Sequence, residues 1–399
     1  MARTKATSRH AKVKQLAKRT PNSPPLPLEV CERIIDFVAL TLGSSNVRLK
    51  TLKACALTCH SWMPRSLYHI ICKFDKIRTA DDVALYTSLL RKYPVCAGYV
   101  REINICPDWT TGDPTWLNVL PQTLAPHVKE LRRITLASSP TEGTLAFHPH
   151  FYRSLGLLRS VTELNYSFAS QHSFKDLVRV VSSFPNLSVL SIGAEVFWEK
   201  TLRFSTRIKL ARHHLTHINL SYGLQINVVD DITGWLCAAS PTSLVSIEMW
   251  CGITESSSKL ISDSPSLQSL TICANSRDLT LIDLQLNRHL RNLDLMVDGY
   301  DNDVLPSIKR LLVNSISSDF QALTLRFNLL EEPDTTFLEG LASVDAILGT
   351  SRFERLRQVT VDLPIDNTAS FPGLYSRNVK VLTVDSEDGA VLFRRRHPQ

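Results

Sequence analysis

A six-residue phrase returns eleven times along this chain, and it limits the possible folds more than any other feature. It reads VREINI from Val100, LRRITL from Leu131, VTELNY from Val161, LSVLSI from Leu187, LTHINL from Leu215 and LVSIEM from Leu244. It continues as LQSLTI from Leu267, LRNLDL from Leu290, FQALTL from Phe320, LRQVTV from Leu356 and VKVLTV from Val379. Starts lie 23 to 36 residues apart, a period that means stacked units. Positions 1, 4 and 6 are apolar and positions 2, 3 and 5 mostly polar, as with Leu215, Ile218 and Leu220. Positions 4 and 6 share one face of a strand by its period of two, and position 1 enters the core where the chain turns into the strand.

Between phrases the apolar spacing becomes that of a helix. From Phe174 to Phe184, Leu177, Val180 and Val181 fall on one side, and Pro185 ends the run because it has no N–H to donate. A strand and a return helix, repeated, make a leucine-rich-repeat-like α/β solenoid with a curved parallel sheet, since no unit buries its apolar face alone. The competing reading is a doubly wound α/β domain; eleven such similar strands are too many for one ordinary open sheet. The Asn or Cys that follows the strand in regular leucine-rich repeats is mostly missing, so no asparagine ladder is expected. The longest gap, 327–356, holds a helix from about Phe337 to Leu348 and is read as an enlarged unit.

The outward strand positions are the candidate substrate surface: Glu163, Asn165, His217, Asn219, Glu248, Trp250, Asp294 and Arg326, with Glu102, Arg133 and Thr271 among their neighbours. Charges of both signs suit a protein or peptide better than a nucleic acid, whose phosphates favour a single-sign stripe. Trp250 stands out, because an outward Trp commonly anchors a contact.

Ahead of the repeats, residues 25–71 read PLPLEVCERIIDFVALTLGSSNVRLKTLKACALTCHSWMPRSLYHII. Pro27 suits a helix start, and Val30, Ile34, Ile35 and Val38 follow at helical spacing. A second helical run carries Leu52, Ala56, Leu57 and Trp62 and is expected to stop near Met63, before Pro64. The pairing of Leu26-Pro27-x-Glu29-Val30 and Ile34-Ile35 with Ala56-Leu57-Thr58-Cys59-His60-Ser61-Trp62 resembles an F-box, with Thr58 where that family usually has Val. The connecting segment Thr41 to Lys50 is long, in the manner of the expanded F-box sets of mushroom-forming fungi. The resemblance implies a Skp-type adaptor as partner, a cullin-RING (SCF-type) ubiquitin ligase as the assembly, and a substrate-choosing role. It also implies that Leu26, Pro27, Val30, Ile34, Ile35, Leu57 and Trp62 form or support the adaptor surface. The organisation expected is a disordered basic arm at 1–24, the F-box at 25–72, a helical linker at 73–99 containing Val83, Leu85, Leu89 and Leu90, the solenoid at 100–386, and a tail at 387–399.

Charge supports a protein-binding role. The chain has 399 residues and a formal net charge of +7, and residues 1–20 hold seven Lys or Arg and no acid, so the remainder is balanced. A basic arm on a neutral body points to a solvated leader or a nuclear import signal, with chromatin or nucleic-acid binding through the arm as an alternative function. A repeat scaffold without a ligase role is the other alternative. No apolar leader or long apolar run suggests secretion or a membrane span, and nine scattered cysteines without a Cys-x-x-Cys pair suit a reducing compartment, cytoplasm or nucleus. The sets Cys55, Cys59, His69, Cys72 and His213, His214, His217 read as structural and surface residues rather than metal ligands. With 14 glycines, no phosphate-binding loop, no G-x-S-x-G and no H-E-x-x-H, neither a cofactor nor an enzymatic activity is expected.

Overall fold

The computed structural model describes residues 27–41, 45–71, 73–108, 114–137, 147–167, 174–193, 196, 214–238, 242–298, 303–315, 317, 319–328, 335–362 and 380–383. Leu26, Cys72, His213, the basic arm and the C-terminal tail lie outside them. The chain divides into two compact units, residues 1–72 and 73–399.

The first unit is three helices: α1 (Leu28–Thr41), α2 (Ser45–Thr58) and α3 (Met63–Ile71). Ile35, Leu52 and Cys55 form its core, and Val38, Ala39, Trp62 and Ile70 pack against them. The Pro27 carbonyl accepts the N–H groups of Val30 and Cys31 at 3.0 and 3.2 Å, so the proline stands just ahead of α1, where its missing donor costs nothing. Two expectations are corrected. Pro64 starts a helix instead of ending one, because the first turn needs no donor from it. The segment Thr41 to Lys50 is not all connection: α2 already begins at Ser45, and Arg48, Leu49 and Lys50 are good helix formers. A polar clamp ties α1 to α3. Arg65 grips Asp36 with both Nε (2.6 Å to Oδ1) and Nη2 (2.8 Å to Oδ2), and His69 Nε2 lies 2.7 Å from Oδ1. The Arg65 hydrogen bond, aided by His69, holds the Asp36 carboxyl at about 2, below the ordinary 3.8.

The second unit is one twelve-stranded parallel sheet whose strands follow each other in sequence order. They are β1 (Lys73–Ile77), β2 (Glu102–Ile105), β3 (Arg133–Ala137), β4 (Glu163–Ser167), β5 (Val189–Ile192) and β6 (His217–Leu220). The series ends with β7 (Ser246–Met249), β8 (Ser269–Ala274), β9 (Asn292–Asp298), β10 (Ala322–Asn328), β11 (Gln358–Asp362) and β12 (Lys380–Thr383). Each of the eleven phrases is a strand. A doubly wound sheet would reverse its order at a switch point, and this one never does. The fold is therefore a leucine-rich-repeat-like α/β solenoid, preceded by a helical unit.

Register explains the phrase. Position 4 pairs with position 4 across the sheet, from Ile103 and Ile134 through Leu270 and Leu293 to Val359, and position 6 does the same from Ile105 to Val361. Both rows are buried, as are the position-1 residues from Val100 to Leu356. Each such Leu or Ile contributes roughly 1.5–3 kcal/mol when taken out of water. Helices cover this face. Among them Phe174–Ser183, Ile226–Ala238, Glu255–Ser262, Val304–Asn314 and Thr335–Leu348 bury one side each, and Phe327 on β10 meets Phe337 edge to face at 5.1 Å between ring centroids.

A backbone device does the work that an asparagine ladder does elsewhere. At the strand starts, nine successive carbonyls, from Arg101 to Gln321, each accept two N–H groups from the next unit at 2.8–3.2 Å. Arg132 and Arg133 both donate to Arg101, for example, and Arg357 and Gln358 both donate to Gln321. Main-chain groups are present at every position, so this ladder needs no particular side chain.

Two further readings change. Residues 73–99 are not simply a helical linker, because Lys73–Ile77 pairs with β2 as a parallel strand; its sequence, KFDKI, lacks the phrase. In the helix Ala80–Lys92 the buried side is Val83, Thr87 and Leu90, while Leu85 faces water.

Candidate functional site

Two surfaces carry the residues that the sequence singles out. On the helical unit, Leu28, Val30, Ile34, Phe37, Leu40, Val47, Leu57 and Met63 are all exposed. Leu57 and Leu40 are 86% and 83% open to solvent, against 0% for Ile35 one residue from Ile34. This is what a short three-helix unit does with more apolar side chains than its interior holds. Isolated exposed leucines are ordinary, but eight large apolar side chains exposed on three short helices are not. Of the residues expected at the adaptor surface, Pro27, Val30, Ile34 and Leu57 are exposed, Ile35 is core, and Trp62 is half-buried against that core. Periodicity alone could not separate Ile34 from Ile35, because both fall within one apolar stripe. Phe37, Leu40 and Val47 were missed, and their only signal was an apolar stripe wider than one helix face needs.

The eight residues expected at the substrate surface all lie on the open face of the sheet, opposite the helices, half-buried or exposed. Strand register brings them into rows. Glu163 and His217 share one row, Asn165, Asn219, Glu248 and Asp294 the next, and Trp250 and Arg326 stand one pleat further on. Much of the charge is internally paired. Arg133 on β3 bridges its neighbours, with Nη2 2.5 Å from Glu163 and Nη1 3.7 Å from Glu102. Asn219 donates to Glu248 at 2.8 Å, and Arg326 donates to Asp294 Oδ2 at 2.7 Å.

The pairing is incomplete on the later strands. Asp294 Oδ1 and Asn219 Oδ1 are buried with no hydrogen-bond partner among the described residues. Burial raises the Asp294 carboxyl above its ordinary value, Arg326 pulls it back, and nearby Glu248 pushes it up further. Burial also raises Asp362, again against Arg326. Asp362 was missed because it lies one step beyond the six-residue phrase; extending the alternation past Val359 and Val361 would have found it.

Among the described residues no group of three or more His, Cys, Asp or Glu is placed to hold a metal ion, and no helix is long and apolar enough to cross a membrane. Cys55 sits in the core of the helical unit, His69 is committed to Asp36, and His214 and His217 are exposed.

No family model and no curated protein matches this chain. Solved structures similar to it include the yeast Rad7–Elc1 complex (10% identity, 90% of this chain and 94% of that one, TM-score 0.38). Human trophoblast glycoprotein is another (13% identity, 62% and 82%, TM-score 0.31). A Bacteroides fragilis protein is a third (12% identity, 78% and 74%, TM-score 0.33). The repeat architecture itself rests on strand order and register.

Proposed function

We propose that this protein is a non-catalytic substrate receptor of a cullin-RING ubiquitin ligase. Its helical unit docks on a Skp-type adaptor, and through it a cullin, while the open face of the sheet holds a protein substrate. The observation that carries this reading is the apolar surface of α1–α3, whose sequence also carries the F-box resemblance. The protein performs no chemistry in this role. It raises the local concentration of the substrate beside a ubiquitin-charged enzyme, in the cytoplasm or nucleus.

The test is co-purification with a purified Skp-type adaptor. Ile34→Ser combined with Leu57→Ser should abolish capture, because both side chains are already in water and their loss leaves the core intact. Unchanged capture, or no capture by the wild-type chain, would leave a repeat scaffold without a ligase.

A further inference from the structure

The open face of the sheet carries half-buried and exposed polar side chains among the described residues, and their charge says what fits it. Among the described outward side chains of β2–β11, five carboxylates (Glu102, Glu163, Glu248, Asp294, Asp362) stand against two guanidiniums (Arg133, Arg326), within a chain whose formal net charge is +7. The face contains its own template for relieving that excess. Across β2–β3–β4 one row presents Glu102, Arg133 and Glu163, with the arginine between two acids two strands apart. Across β7–β8–β9 the next row presents Glu248, Thr271 and Asp294, with a neutral hydroxyl in the middle. Alternate strands place the two acids of each set about 9.5 Å apart, a span one guanidinium or ammonium can serve.

We propose that a basic, extended segment of the protein substrate lies across β7–β11 and sets an Arg or Lys over Thr271, between Glu248 and Asp294, as Arg133 sits between Glu102 and Glu163. This deepens the substrate-receptor reading and rests on it. Arg326 already holds Asp294 Oδ2 and Asp294 Oδ1 is buried, so half-buried Glu248 is the acid the incoming cation meets first, and Trp250 and Met296, one pleat further on, offer apolar surface to its stem. An acidic segment, or nucleic acid, would meet repulsion from the acids that outnumber the two arginines on these strands.

The test is fluorescence anisotropy on the full chain with a labelled peptide in which Arg alternates with Ser, and with its Glu-for-Arg counterpart. The Arg peptide should bind, the Glu peptide should not, and salt should weaken binding. Thr271→Arg supplies the missing cation from within, so it should weaken the Arg peptide about tenfold while leaving the melting temperature unchanged or raised. Glu248→Gln should also weaken it, whereas Glu255→Gln, at the exposed start of the helix Glu255–Ser262 and off this face, should not. Equal binding by Thr271→Arg, equal binding of the two peptides, or no binding of the Arg peptide up to about 1 mM would overturn the proposal. Adaptor capture by the same variants is read separately. Its retention with failed peptide binding sinks only the basic-segment inference, whereas its absence in the wild-type chain sinks the ligase reading.

Discussion

The helical unit and the repeat unit solve the same problem in opposite ways. The repeat unit hides nearly every apolar phrase residue, because each layer lends a wall to the next and the carbonyl ladder fixes their spacing. The helical unit has no such neighbour within its own residues: Ile35, Leu52 and Cys55 make a small core, and eight large apolar side chains stay in water. A stack is self-sufficient along its length, while about 45 residues bury only a marginal core and gain most from a partner.

That contrast makes graded predictions. The largest effect should come from Leu270→Ala, at the centre of the position-4 row: a loss of about 2–5 kcal/mol in denaturant unfolding, since the cavity cannot collapse between two paired strands. A loss under about 1 kcal/mol would mean the layers are not interdependent. Next comes Gly340→Ala. A Cβ there would collide with Leu305 Cδ1 and lie 3.2 Å from its Cβ, so Leu305 must change rotamer and the helices Val304–Asn314 and Thr335–Leu348 ease apart by a few tenths of an ångström, costing about 1 kcal/mol in the same assay.

A smaller and pH-dependent effect belongs to the helical unit. The folded Asp36 carboxyl titrates at about 2, below the ordinary 3.8, so its stabilisation is fully present above about pH 4 and is lost as pH falls through about 2. Thermal melts should show Asp36→Asn destabilised at neutral pH and converging with wild type as pH falls across that window. A difference that persists below pH 2 would exclude the Arg65 clamp as its cause. Smallest of all, Leu57→Ala should change stability by less than about 0.5 kcal/mol in a denaturant titration, because the side chain packs on little. A larger loss would mean that the exposed apolar face belongs to the unit's own structure.

Much of the solenoid was legible because its code is local. Leu215, Ile218 and Leu220 announce a strand with one buried face, and Pro185 announces where a helix gives way to the next strand. β1 was illegible for the complementary reason: KFDKI carries no position-1 leucine, and its pairing with β2 is a long-range fact. Of the candidate site, the outward rows could be read from alternation, but the closure of Glu102 and Glu163 by Arg133 depends on register across three strands.

What the sequence determined by itself was periodicity: which residues of the eleven phrases face inward, and where an apolar-rich helical stretch precedes them. Only the tertiary structure decided which neighbours meet. Ile34 and Ile35 are chemically the same, and only the packing of Leu52, Cys55 and Trp62 against one of them makes it core and leaves the other in water. Glu102 and Glu248 are likewise the same acid, distinguished by whether the adjoining strand brings up Arg133 or Thr271. Burial and charge pairing are properties of neighbours, and neighbours distant in the chain are set by register and packing.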